Sequence, residues 1–235
     1  MTQEIRREVM NRVFRLGQTE PTILPSKSKQ WKLAEIGPLS VYVVDNVPGA
    51  EFSEKGHPEE VLAFVLEGQI TYDNGRVVRA GESAFQIPNT AYRGRYGGSE
   101  SVRVVLVKAL PETDPKAPAK SLMEKVIRPT DVVPFKRPPT GSLQRILVAT
   151  ETLSVCYLEN MPVLEFPEPG HPEMEIFYVL GGKIEYTDGR IVRAGEAVCN
   201  IASLPHPCRY AGTQPIRLLE IDAPANINLA RWGCL

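Results

Sequence analysis

Apolar positions along this chain fall in short bursts. Val61-Leu62-Ala63-Phe64-Val65-Leu66 is one such run, and Ile176-Phe177-Tyr178-Val179-Leu180 is another. Runs of this length bounded by glycine suit buried strands better than helices. Each run leads through glycine into a second predicted strand, Gln69–Tyr72 or Lys183–Tyr186. A turn dipeptide follows, Asn74-Gly75 in one case and Asp188-Gly189 in the other. Both dipeptides tolerate the positive φ of a type I′ turn, so the pattern predicts two hairpins. Ala80-Gly81 and Ala194-Gly195 punctuate again, ahead of strands ending near Ile87 and Ile201. Short strands with turns every eight to twelve residues or so predict a sandwich or barrel.

The two sets of strands are copies of each other. Shifted by 114 residues, LSVYVVDNVPGAEFSEKGHPE from Leu39 falls on LSVCYLENMPVLEFPEPGHPE from Leu153. GRVVRAGES from Gly75 falls on GRIVRAGEA from Gly189. The match runs without a gap from Ser28–Leu110 onto Ser142–Pro224, with 33 identities in 83 positions. Two long copies make a tandem duplication of one domain rather than a solenoid. The predicted organisation is an arm over residues 1–27, a barrel over 28–110, a linker over 111–141 and a second barrel over 142–235. Within the arm, Ile5, Val9, Val13 and Leu16 have the spacing of one helical face, which predicts a short helix over Glu4–Leu16. The linker, rich in Pro and Lys, reads as extended. Leu122, Met123, Val126 and Ile127 are its candidates for a helical turn.

Composition then narrows the function classes. Hydrophobic residues make up 43% of the 235, enough for a substantial core. Lys+Arg at 27 against Asp+Glu at 28 leaves a net charge of −1, without the positive surplus of a nucleic-acid or polybasic membrane binder. No apolar stretch approaches the length of a transmembrane helix. MTQEIRREVMNRVF carries charges where a signal peptide has its apolar core, so the expectation is a soluble, cytoplasmic protein. Cys156, Cys199, Cys208 and Cys234 all lie in the second half, form no CxxC pair and read as reduced thiols. No nucleophile elbow, Walker loop or GxGxxG sequence precedes a predicted helix.

Within this frame the sequence resembles the cupin superfamily, and specifically a bicupin. The family's first motif is G-x5-H-x-H-x(3,4)-E-x6-G, and its second ends in H-x3-N. His171, Glu175 and Gly182 match the first motif in the second copy. Gly195 opens the second motif, and His206 supplies its histidine. The resemblance implies an all-β protein of two tandem antiparallel cupin barrels (the double-stranded β-helix or jelly roll), each with a ligand cavity inside. It further implies that His171, Glu175 and His206 hold one divalent transition metal per chain, whether Fe, Mn, Ni, Co or Zn. Two imidazoles and a carboxylate on one face of such an ion leave positions open for substrate, dioxygen or water.

The chain departs from the motif at Pro169, where the family has its first histidine, and at Tyr210, where it has asparagine. By strand parity Tyr210 shares a face with His206, and it is the candidate to orient substrate or act as a weak acid. Phe177 and Val179 share the parity of Glu175 and should wall the cavity, while Tyr178 should face away. Glu173 is the substitute ligand if the loop is shifted. In the first copy the ligand positions are Lys55, His57, Val61 and Tyr92, so that barrel is expected to be metal-free. The arginine pairs Arg76/Arg190, Arg79/Arg193, Arg95/Arg209 and Arg103/Arg217 recur in both copies and should serve surface or inter-strand pairing. Two functions follow from the resemblance. One is a metal-dependent enzyme on a small oxygenated metabolite, with dioxygenase-, decarboxylase-, isomerase-, lyase- or cyclase-type chemistry. The other is a non-catalytic bicupin that binds a small ligand as a sensor or store. Either would have a small molecule as its partner, and the chain would be a monomer or homodimer.

Overall fold

The computed structural model describes residues 12–111, 125–137, 142–162, 164–167 and 169–224. It divides into two compact units, one from Thr19 to Asp131 and the other from Val132 onward together with the N-terminal residues up to Gln18.

The first unit has two antiparallel sheets. The larger runs Thr22–Ile23, Lys29–Ile36, Leu39–Asn46, Val102–Ala109, Glu60–Glu67 and Ser83–Gln86. The smaller runs Glu51–Glu54, Tyr92–Gly97, Gln69–Tyr72 and Val77–Arg79. The second unit repeats both sheets strand for strand, Phe135–Arg137 standing where the first has Thr22–Ile23, with Val13–Phe14 added at the far edge of its larger sheet. Alternation decides which residues go inside. Phe177, Val179, Leu218, Ile184 and Val198 meet in the core of the second barrel, with Ala63, Val65, Val104, Ile70 and Ala84 doing the same in the first. Leu39, Leu153, Ile176 and Leu218 are fully buried. Truncating such a leucine typically costs about 2–5 kcal/mol.

Both predicted hairpins form, but not through type I′ turns. Gly75 and Gly189 take positive φ (83° and 91°), whereas Asn74 and Asp188 do not. The Gly75 N–H donates to the Tyr72 carbonyl and the Tyr72 N–H to the Arg76 carbonyl; Gly189, Tyr186 and Arg190 repeat both bonds. This is a type I turn closed by a left-handed glycine. The Asn74 and Asp188 side chains accept from the N–H two residues on, which stabilises that geometry instead.

The arms also differ from expectation. Residues 4–11 of the predicted N-terminal helix lie outside the described residues. From Val13 the chain is a strand and then a single 3-10 turn over Leu16–Gln18. The spacing of Val13 and Leu16 fits a helix, but backbone pairing with Ala197–Asn200 overrides it, Val13 opposite Val198 and Phe14 opposite Ala197. In the linker, Leu122 and Met123 are not described, while Ile127 bridges to Ser83. The two contacts are the same contact made twice. Arg15 Nε lies 2.6 Å from Glu196, and Arg128 Nε lies 2.6 Å from Glu82. Each glutamate's other oxygen accepts from the N–H of Arg193 or Arg79. Val13-Phe14-Arg15 and Val126-Ile127-Arg128 are therefore a further repeated element, 113 rather than 114 residues apart. Each arm completes the unit that it does not directly precede.

Among the described residues no helix is long and apolar enough to cross a membrane. Cys156, Cys199 and Cys208 are buried and form no disulfide among the described residues; Cys234 lies outside the described residues.

Candidate metal centre

The second barrel brings His171, Glu175 and His206 together from three chain segments. Glu175 is the second residue of the strand Met174–Gly181 and points inward with Phe177 and Val179. His171 lies on the loop before that strand. This loop is pinned because the Ser203 N–H donates to the His171 carbonyl at 2.6 Å. Gly170, at φ 102°, passes so close to Ser203 that an added Cβ would meet its carbonyl carbon at 3.0 Å. Ser203 itself adopts φ 63°. The first barrel has the same clamp, with Gly56 against Asn89 and the Asn89 N–H on the His57 carbonyl. Placement of the histidine is thus a property of the frame, common to both copies.

All three side chains are buried, and one ligand atom from each lies within 4.8 Å of the others. His206 Nε2 is 3.5 Å from Glu175 Oε2, and His171 Nε2 is 3.6 Å from Glu175 Oε1. The His206 tautomer is fixed from behind. Its Nδ1 lies 2.9 Å from the Leu204 carbonyl, which can only accept, so Nδ1 carries the proton. In the neutral ring, Nε2 then turns a lone pair toward a carboxylate. Two acceptors facing each other in a dry site need a proton or a metal ion between them, and an orienting bond on the far nitrogen is the usual support of a metal-binding imidazole. His171 Nε2 and His206 Nε2 have no well-directed hydrogen-bond partner. These donors fit a divalent ion at about 2.0–2.2 Å from each ligand atom.

In the absence of such an ion the group is an ion-pair cluster. Burial alone would lower the His171 pKa, but the carboxylates of Glu173 and Glu175 outweigh it and hold the ring's affinity for a proton well above the ordinary range. Glu173 Oε2 lies 3.1 Å from His171 Nδ1, in an ionic contact too bent to count as a hydrogen bond. Burial would raise Glu175, yet His171, His206 and Asn200 together hold it well below the usual carboxylate range. Asn200 Nδ2 donates to Glu175 Oε2 at 2.6 Å, and the Tyr186 hydroxyl donates to Asn200 Oδ1 at 3.3 Å. Glu175 is thus oriented by a chain of neutral groups.

Tyr210 is buried and points into the barrel, its ring packed on Phe166 at 4.4 Å between centroids. It lies outside the group of three candidate ligands. Tyr178 is buried but absent from the inner cluster. Pro169 is exposed, on the loop before His171. Of the repeated arginines, Arg103 and Arg209 pair between strands, and Arg76 and Arg190 cover rings. Arg103 binds Asp45 through two nitrogens at 2.6 and 2.8 Å, and Arg209 reaches Glu185 at 2.7 Å. The guanidinium carbons of Arg76 and Arg190 sit 4.1 and 4.2 Å above Tyr72 and Tyr186.

Sequence reasoning missed two residues. Glu220 and Asp222, on the strand Ile216–Ala223, are buried and share parity with Leu218 inside the barrel. Asp222 sits directly across the ladder from Glu175, and Glu175, Glu220 and Asp222 form a second group in which one carboxylate oxygen from each lies within 4.8 Å of the others. Gln144 donates to Glu220, and the Ser154 hydroxyl donates to Asp222. The signal was present: two acids alternate with Ile221 between them in a strand whose only other charge is Arg217, at positions where the first copy has Leu106 and Lys108.

No protein-family model matches the sequence, and no curated protein sequence matches it. Solved structures do. A Pseudomonas aeruginosa protein named as glyoxylate-induced superposes with a TM-score of 0.75 at 21% identity, covering 92% of this chain and 88% of its own. A cupin 2 conserved barrel domain protein from Leptotrichia buccalis gives 0.65 at 14% identity, over 91% and 97% of the two chains. Oxalate decarboxylase from Lactobacillus farciminis, solved as a formate complex, gives 0.67 at 15% identity, over 94% and 89%. With the repeated two-sheet units described above, these likenesses identify the fold of the chain as the cupin fold, carried in two tandem barrels.

Proposed function

We propose that the chain is a metal-dependent bicupin enzyme acting on a small oxygenated metabolite, with its metal in the C-terminal barrel. The observation that carries this reading is the buried cluster of His171, Glu175 and His206, one ligand atom from each within 4.8 Å of the others, with His206 Nδ1 bonded to the Leu204 carbonyl so that Nε2 faces the carboxylate. A metal held there supplies a Lewis acid able to polarise a carbonyl or enol oxygen. The chain supplies the rest. Asn200 and the Leu204 carbonyl hold Glu175 and His206 in place, and Phe177, Val179 and Leu218 exclude water. Glu220 and Asp222 place two further buried carboxyl groups next to Glu175, which favours a cation there. Tyr210 is the candidate to orient substrate. That one of the similar structures is a decarboxylase bound to formate supports a small carboxylic or carbonyl substrate, with oxygenase, isomerase, lyase and cyclase chemistry as the other members of the class.

The second reading, a non-catalytic binder, is favoured by Pro169 in place of a fourth ligand. Elemental analysis of protein purified without chelator separates the two. About one equivalent of a transition metal, followed by turnover in a screen of small oxygenated acids, supports the enzyme. Protein that is metal-free and refuses reconstitution supports the binder.

A further inference from the structure

The first barrel lacks the ligand set, yet its interior is not filled. It holds a cavity of about 280 Å³ whose wall includes Tyr72, Gln86, Tyr92, Tyr96 and Lys108. A second, more open cleft of about 440 Å³ adjoins it, with Tyr72, Gln86 and Tyr92 lining both.

Gln86 is the first clue. It is 2% exposed, and neither its amide nitrogen nor its oxygen has a hydrogen-bond partner among the described residues. It biases the nearby Tyr72 hydroxyl weakly, without forming a well-directed bond. Its counterpart Asn200 uses both ends, on Glu175 and Tyr186. Gln86 is thus the same node with its carboxylate removed, since Val61 stands where the other barrel has Glu175. A buried amide left unmet is unfavourable, so the site calls for something that accepts and donates there.

Lys108 is the second clue. It faces Val61 across the ladder, as Asp222 faces Glu175. The interior of the second barrel has carboxyl groups at 175, 220 and 222, whereas the cavity of the first has Val61, Leu106 and Lys108. The first barrel therefore carries its own positive charge in the region where the second presents acids. Burial keeps Tyr72 and Tyr96 protonated, so both can donate. Both nitrogens of His57 are engaged, Nδ1–H with the Glu59 carbonyl and Nε2 with the Tyr92 hydroxyl. Glu54 also lines the cavity, from the exposed edge strand Glu51–Glu54, and its charge reaches Tyr92 and Tyr96; Lys108 stands on the other sheet.

We propose that this cavity binds a small planar organic carboxylate without metal, with Lys108 pairing its charge and Gln86, Tyr72 and Tyr96 bonding its oxygens. The volume sits just under the roughly 300–1,000 Å³ of small-molecule pockets, which limits the ligand to a few carbons or one ring. The aromatic wall of Phe52, Tyr72, Tyr92 and Tyr96 suits a flat ligand. The inference does not rest on the metal centre of the other barrel.

The test is calorimetric titration of the full-length, chelator-treated protein with benzoate, and with benzylamine as a cation of similar shape. Benzoate should bind saturably, one per chain, and benzylamine roughly tenfold or more weaker. Lys108→Met should lose roughly tenfold in benzoate affinity, Lys108→Arg should keep most of it, and Glu175→Gln should leave it unchanged. Gln86→Leu should weaken binding without changing the preference for anion over cation. The proposal is overturned if wild type shows no saturable benzoate binding, if benzylamine binds as well, if folded Lys108→Met binds like wild type, or if Glu175→Gln abolishes binding. Should Lys108→Met fail to fold by circular dichroism, the wild-type charge series and Gln86→Leu decide.

Discussion

In one barrel Val61 faces Lys108 across a strand pair; in the other Glu175 faces Asp222 across the corresponding pair. Around that difference the frames agree. Leu39 and Leu153, Val65 and Val179, Ile70 and Ile184, and Val78 and Val192 are identical pairs, all buried. Even the clamp on the histidine loop is common, so His57 is placed as carefully as His171 yet meets Tyr92 where His171 meets Glu175. The lesson is that the strands and turns fix where a side chain will stand, while a few inward positions fix what the cavity attracts. Val61, Leu106, Lys108 and Tyr92 in the first barrel, against Glu, Glu, Asp and His in the second, are the inward differences on which the two proposed ligand preferences rest.

The comparison can be broken most directly at the metal. His206→Ala should abolish metal binding, because two remaining ligands compete poorly with water and buffer, whereas His57→Ala should leave metal content unchanged. Elemental analysis of the two variants checks this, and two metals per chain in wild type would end the distinction. Glu175→Gln keeps the shape but removes the anionic ligand oxygen. Occupancy should fall sharply, with the thermal midpoint dropping to that of metal-free wild type, since a ligand bound only by the native state stabilises it. If this variant binds metal normally, Glu173 becomes the residue to change.

A subtler experiment transplants the site. Val61→Glu with Tyr92→His, added to the native His57, gives the first barrel two imidazoles and a carboxylate in the same frame. Metal content should rise toward a second equivalent in protein that remains folded. No increase would show that the carboxylates at 220 and 222 are needed as well. Smaller still is Arg103→Ala, which removes a half-exposed bidentate pair with Asp45 and should cost about 0.5–1 kcal/mol in a denaturant melt. The least change is expected at Cys199, whose thiol burial pushes up to about 12. Folded protein at pH 8 should leave it unmodified by iodoacetamide, as peptide mapping would show.

Much of this was legible in the residues. Glycines at turns and the lengths of apolar runs marked the strands, because a pleated, half-buried segment leaves a short-range pattern. The candidate ligands were legible from motif spacing. Glu220 and Asp222 were not, because a charge in a strand reads as outward-facing until a neighbour of known parity, here Leu218, fixes the face. The arms were hidden for a different reason. Three residues at a spacing one short of the main repeat carry little signal, and the pairing of Val13 with Val198 spans most of the chain. A short amphipathic spacing cannot distinguish a helix from a strand whose partner lies that far away.

The arm has a consequence for how the protein can be cut and tagged. Thr19 to Asp131 is one continuous piece, but the unit with the candidate metal centre is assembled from both ends of the described chain. Its strand Ala197–Asn200 lies between Val13–Phe14 on one side and the Glu175 strand on the other. Removing the residues before Thr19 would strip that strand of its outer neighbour and of the Arg15 ion pair. It would loosen the segment that carries Asn200, which steadies Glu175. An expression vector that trims the N-terminus would thus damage the far barrel while sparing the one it adjoins in sequence.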